Sequence, residues 1–228
     1  MKSEFYADWK TNPNSFLWLH GIPGCGKTIL SSTIIEDVLY HCSHDHSLAV
    51  LYFYFDFNEV EKQQHEKMIR SLIMQLSFRC KDTSRDLQSL FSFCRDGDRP
   101  PPLDELLAIL QKMIREFKGI YIVLDALDEC EDREKLLEDI ETITGWELEN
   151  LHILVTSRRE KDIEESLDSL VDGTKKICIQ SALVNDDIRT YVHKRLRTDQ
   201  KLKRWQNRPE VQQEIETVLM SKADGMYD

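Results

Sequence analysis

An α/β domain with a largely parallel sheet is the fold class the sequence predicts, and three observations predict it. Five short runs rich in β-branched and aromatic residues read as strands covered on both faces: FLWL at 16–19, LAVLYFYF at 48–55, IYIVL at 120–124, LHILVT at 151–156 and KICIQ at 176–180. Between them lie segments whose apolar residues recur every three or four positions, the period of a helix with one buried face. Strand and helix patterns alternate along the chain, as they do where parallel strands are joined by helical crossovers.

The first run leads into GIPGCGKT at 21–28, and ILSSTIIEDVL then continues as a helix. Ile69, Leu72, Ile73 and Leu76 share one helical face, and Leu103, Leu106, Leu107, Leu110, Met113, Ile114 and Phe117 share another. DGDRPPPLDEL breaks the helical region between these two, with the proline run and Asp104 reading as a loop that leads into a helix start. After KICIQ the pattern is helical only, through NDDIRTYVHKRLR and PEVQQEIETVLMSKADG, which predicts a core over 1–181 and the start of a small helical subdomain over 182–228. There is no internal repeat.

With 228 residues, 41% of them hydrophobic and 31% charged, the chain can bury one sizeable core. No apolar run reaches the ~20 residues of a membrane span, and MKSEFYADWK lacks the apolar centre of a signal peptide, so a cytoplasmic protein is expected. Six scattered cysteines without a CxxC pair fit reduced thiols. A net charge of -11 argues against a nucleic-acid surface, and KLKRWQNR reads as a solvated basic helix face. HCSHDH crowds possible metal ligands into one segment, but with no matching Cys/His pair elsewhere it reads as a polar loop. The four tryptophans, Trp9, Trp18, Trp146 and Trp205, read as packing residues.

GIPGCGKT satisfies G-x-x-x-x-G-K-[ST] in the setting that the motif requires, a strand before it and a helix after it. The glycines Gly21, Gly24 and Gly26 let the backbone turn its N–H groups inward at the positive end of the helix, with Pro23 and Cys25 completing the loop. Lys27 would then reach the β and γ phosphates, and the Thr28 hydroxyl would ligate Mg²⁺. Such a loop needs a carboxylate for the metal, and Asp125 ends a buried strand, where ligand groups collect in open α/β sheets. Asp128 and Glu129 follow within a turn, and either could orient or deprotonate the attacking water. Thr156-Ser157-Arg158 would bring a hydroxyl and a guanidinium to the same sheet edge; Arg158 would sense or stabilise the γ phosphate, while Arg159 faces solvent or pairs with an acid.

Taken in order, FLWLHGIPGCGKTILSSTII, YFYFDF with MIRSLIMQL, YIVLDALDEC, HILVTSRRE and DDIRTYV resemble a NACHT-type domain of the signal-transducing ATPases with numerous domains. The chain is most similar to the nephrocystin-type N-terminal variant abundant in fungal NLR-like proteins of innate immunity. The resemblance implies a P-loop NTPase three-layer sandwich with strand order 5-1-4-3-2, an extra strand lying between the phosphate-loop strand and the Asp125 strand. It implies ATP or ADP with Mg²⁺ as cofactors, Lys27 and Thr28 for phosphate and metal, Asp125 for metal, and Arg158 as sensor. It further implies self-association, or contact with effector and sensor domains of a longer protein, because the segment stops before the winged-helix region of the family. ATP is favoured over GTP, since no N-K-x-D element is present, and GTP stays open as a second nucleotide. Most related ATPases place a catalytic glutamate directly after the metal aspartate, where this chain has Ala126. Two functions therefore stand side by side: a slowly hydrolysing ATP switch, and a nucleotide-holding interaction scaffold with little hydrolysis.

Overall fold

The computed structural model describes residues 4–79, 101–170, 176–179, 195 and 208–223. Helix α1 (Glu4–Thr11) precedes strand β1 (Ser15–His20), and helix α2 (Lys27–Cys42) follows the glycine loop. Strand β2 (Leu48–Tyr54), helices α3 (His65–Ser77) and α4 (Leu103–Ile114) and strand β3 (Gly119–Asp125) come next. Helix α5 (Arg133–Thr144), strand β4 (Leu151–Ser157), helix α6 (Lys161–Leu170), strand β5 (Lys176–Cys178) and helix α7 (Pro209–Ala223) complete the described α-helices and strands. All four strand pairings are parallel, and the order across the sheet is β2-β3-β4-β1-β5. Read from the other edge, this is the expected 5-1-4-3-2, with β4 between β1 and β3.

The strands are apolar on both faces because each face has its own layer of helices. Phe16, Trp18, Ile120, Ile122, Leu124, Ile153 and Val155 pack with Met68, Leu72, Leu110, Leu136, Ile140, Ile163 and Leu167 of α3, α4, α5 and α6. The alternate residues Leu17, Leu19, Tyr121, Val123 and Leu154 pack with Tyr6, Trp9, Ile34, Ile35 and Val38 of α1 and α2. Full burial of one such side chain contributes about 1.5–3 kcal/mol, so the two layers together hold the sheet between them.

The expected strands all form, with ends that shift by one or two residues. Helix α4 starts at Leu103 directly after Pro102, and Phe117, although buried, lies beyond its end. Helix α1 has no counterpart among the expected elements, because its eight residues carry too few apolar positions to show a period. It is held by tertiary contacts: Trp9 Nε1 donates to Ile153 O at 2.9 Å, and Tyr6 and Lys10 both donate to Asp37 Oδ2, at 2.6 and 2.7 Å. Trp9 and Trp18 are buried and Trp146 packs against the larger core layer, while Trp205 lies outside the described residues. So do most of the proline loop, the 181/182 boundary, DDIRTYV and nearly all of KLKRWQNR. HCSHDH spans the end of α2 and the turn before β2, and no cluster of three or more His, Cys, Asp or Glu that could hold a metal ion occurs among the described residues. No described helix is long and apolar enough to cross a membrane.

Candidate functional site

The C-terminal ends of β1, β3 and β4 meet at one edge of the sheet, and the chemistry-bearing residues gather there. The three glycines of the loop have distinct structural reasons. Gly24 and Gly26 adopt φ of 70° and 85°, a left-handed backbone that costs an L-residue about 1–2 kcal/mol. Gly21 is required by close approach: a Cβ there would lie 2.6 Å from Cys25 Sγ and 3.2 Å from Ile179 O. Cys25 is thus buried beneath the loop, against the first residues beyond β1.

Gly26 is the N-terminal cap of α2 and supplies no side chain, and no acid sits in the first turn. The amides at the start of this sixteen-residue helix therefore have no side-chain acceptor among the described residues, leaving the positive end of the helix dipole turned to the cleft. Lys27 Nζ lies over the same loop, donating to Gly21 O and Ile22 O at 3.0 Å each and approaching Cys25 Sγ at 3.8 Å.

Asp125, only 2% exposed, is held by three hydroxyls. Thr28 Oγ1 donates to Oδ2 at 2.7 Å, while Ser31 Oγ and Thr156 Oγ1 donate to Oδ1 at 2.5 and 2.7 Å. Thr156 Oγ1 also accepts the Ala126 amide at 2.9 Å. That contact pins Ala126 at φ 59°, a left-handed conformation rare for a residue with a Cβ. Position 126 is consequently buried and turned, and the chain continues through a 3-10 turn, Leu127–Glu129, that brings the two acids to the cleft.

The two acids are placed differently. Asp128 Oδ1 accepts the Arg158 amide at 2.8 Å, and its Oδ2 lies 3.0 Å from Arg158 Nε. Both its oxygens are thereby occupied by one residue. Among the described residues Glu129 accepts only the Phe57 amide, Oε2 at 3.2 Å. Burial pushes the Glu129 carboxyl above the ordinary glutamate value, with the neighbouring Asp128 and Asp56 adding to the rise and the Phe57 amide and Arg158 opposing it. Arg159 pairs with Glu164 through Nε and Nη2, the acid partner that was one of its two expected environments.

Pro23, Gly24, Gly26, Lys27, Thr28, Asp128, Glu129 and Arg158 line one cleft of about 260 Å³, together with Ile29 and Ala126. Of the expected site residues, Gly21, Cys25 and Asp125 do not line it; Gly21 and Cys25 are buried, and Asp125 is reached through Thr28. The sequence reasoning missed Ser31, although its spacing from Thr28 puts both hydroxyls on one helical face, a signal that was present. Of the Thr156-Ser157 pair expected to bring a hydroxyl, Thr156 supplies it, whereas the Ser157 hydroxyl accepts Trp18 Nε1 at 2.9 Å; the Phe57 amide on Glu129 is announced by no local pattern.

The residues fit a magnesium nucleotide: an uncapped helix start behind two left-handed glycines suits phosphate, and a buried carboxylate bonded to the adjacent threonine hydroxyl suits a hard divalent cation.

A model of the family described as "Nephrocystin 3, N-terminal" matches residues 1–158. No protein of curated function matches the chain. Among solved structures, the Aeropyrum pernix ORC1 protein in complex with DNA is 17% identical, covers 79% of this chain and 44% of its own, and has a TM-score of 0.51. CDC6P from Pyrobaculum aerophilum is 15% identical over 81% of this chain and 45% of its own, with a TM-score of 0.50. The Aeropyrum pernix ORC2 protein, solved as ADPNP-ADP complexes, is 13% identical over 83% of this chain and 50% of its own, again at 0.50. The chain therefore spans about half the length of these structures. At such identities the likeness is one of fold, that of a P-loop NTPase.

Proposed function

The chain belongs to the nephrocystin 3 N-terminal family, and we propose that its cleft binds ATP or ADP with Mg²⁺ and serves as the slowly hydrolysing switch of a larger, cytoplasmic NLR-like signalling protein of the NACHT type. The observation that carries this reading is the convergence of the uncapped α2 start, the two left-handed glycines and the Thr28–Asp125 hydrogen bond on one sheet edge. Fold-level likeness raises the expectation of a nucleotide, and the site itself argues for it.

In this reading Lys27 leaves the carbonyls of Gly21 and Ile22 for phosphate oxygens, and the α2 amides hold the same anion. Thr28 and Asp125 hold the metal, whose chemistry is to neutralise charge on the phosphates. Arg158 contacts the γ phosphate, the group that distinguishes ATP from ADP, so that the two nucleotides favour different conformations. Glu129 orients the attacking water. Asp128 acts through Arg158 and is a positioning residue. The acidic charge of -11 supports partners other than nucleic acid, namely copies of the chain or the sensor and effector domains of the longer protein.

The scaffold alternative rests on Ala126: the position that carries a catalytic glutamate in most related ATPases is here buried, left-handed and without a carboxylate. Single-turnover phosphate release from labelled ATP, with protein in excess and Lys27→Ala beside it, separates the two. Release that disappears in the variant supports the switch. Bound but intact ATP supports the scaffold, and an unchanged nucleotide affinity in Lys27→Ala would refute both.

A further inference from the structure

Asp125 is gripped unequally on its two oxygens. Oδ1 receives Ser31 and Thr156, both fully buried, whereas Oδ2 receives, among the described residues, Thr28 alone, on an exposed residue at the cleft. The bond that can be exchanged for another partner is therefore the one to Thr28. The two on Oδ1 are sealed from water, and breaking either would leave a buried acceptor short of a donor.

Ser31 has a second acceptor within reach, Lys27 O one turn back at 3.1 Å, but its single proton serves one bond at a time. The contact to Asp125 is the shorter, at 2.5 Å, and its acceptor is a carboxylate, which makes it the stronger hydrogen bond. This proton ties α2, the helix that carries Lys27 and Thr28, to the end of β3.

We propose that Ser31 is a positioning residue for the metal: it fixes the Asp125 carboxylate by Oδ1, so that Oδ2 and the Thr28 hydroxyl face a divalent cation together. The assignment rests on the magnesium–nucleotide reading above. Thr156 shares the task from β4, but its hydroxyl also satisfies the Ala126 amide, so Ser31 is the cleaner residue to change. In Ser31→Ala the carboxylate keeps the Thr156 hydroxyl on Oδ1 but loses its tie to α2 and is held less firmly. The metal then loses a preorganised ligand, while the amides and Lys27 that hold phosphate keep their places.

The test is ADP titrated calorimetrically into the full chain, once with excess Mg²⁺ and once with EDTA. For the unaltered chain, Mg²⁺ is expected to tighten binding. In Ser31→Ala that gain should shrink about tenfold, the size of one hydrogen bond to a charged group, with affinity in EDTA unchanged. Ser31→Cys, nearly isosteric and a weak donor, should fall between, and it carries the test if the alanine variant does not fold. A magnesium gain preserved in both variants overturns the assignment. So do equal losses in Mg²⁺ and EDTA, which mark a packing defect of α2. An unaltered chain that binds ADP in neither condition refutes the nucleotide reading itself, and the role of Ser31 falls with it.

Discussion

Replacing Asp128 with alanine removes two contacts at once, and the structure gives each a size. Its side chain is 6% exposed, and it accepts the Arg158 amide at 2.8 Å while facing Arg158 Nε at 3.0 Å. A hydrogen bond to a charged acceptor contributes about 1.5–3 kcal/mol when well buried, which describes the amide contact. The Arg158 side chain is 44% exposed, and solvent screening brings the share of the ion pair to about 0.5–1 kcal/mol. Asp128→Ala should therefore cost about 2–4 kcal/mol and Arg158→Ala about 0.5–1 kcal/mol. The double variant should fall short of the sum by about 0.5–1 kcal/mol, since without Asp128 the guanidinium has lost the contact that its removal would break. Urea titrations of the four proteins, read by linear extrapolation, measure this cycle. The corollary is chemical: Glu129→Gln should slow single-turnover phosphate release by about 10²–10⁴, the usual share of a positioned acid or base. Asp128→Asn, which keeps an acceptor for the Arg158 amide, should slow it far less. Strict additivity in the cycle, with Asp128→Asn as damaging as Glu129→Gln, would refute the clamp and make Asp128 the residue acting on water.

Gly21→Ala should destabilise by about 1–3 kcal/mol, because the new methyl overlaps Cys25 Sγ and crowds Ile179 O; adding Cys25→Ala should restore part of that loss in thermal melts, and no restoration would disprove the contact. Acid should weaken the fold through two imidazoles. Burial lowers the values of both His20 and His152, Arg159 adding at His20 and the Trp9 carbonyl opposing at His152. The unfolded chain then takes up protons that the folded chain refuses, so their contribution is full above roughly pH 6.5 and is lost as pH falls below it. Urea midpoints measured across that range should fall on the acid side, and the fall should shrink in His152→Gln.

The five strands, the glycine loop with its flanking strand and helix, and the chain order Lys27, Asp125, Arg158 are legible in the amino-acid sequence without the fold. These are short-range properties: a period of two or of three to four, a glycine spacing, an acid at the end of an apolar run. Tertiary structure alone decided which partner each polar group finds. Ser31 reaches Asp125 across 94 positions of sequence and Asp128 reaches Arg158 across 30, so that of two adjacent acids that looked equivalent, both lining the cleft, one is clamped by Arg158 and the other accepts the Phe57 amide. Helix α1 belongs to the same class, since its docking depends on Trp9 finding the carbonyl of Ile153, 144 positions away. The left-handed turn at Ala126 is held by the hydroxyl of Thr156 on a different strand. A local pattern records which faces must be buried. It does not record which hydrogen-bonding group stands opposite once the strands are side by side, and at this cleft that pairing sets the role of each side chain.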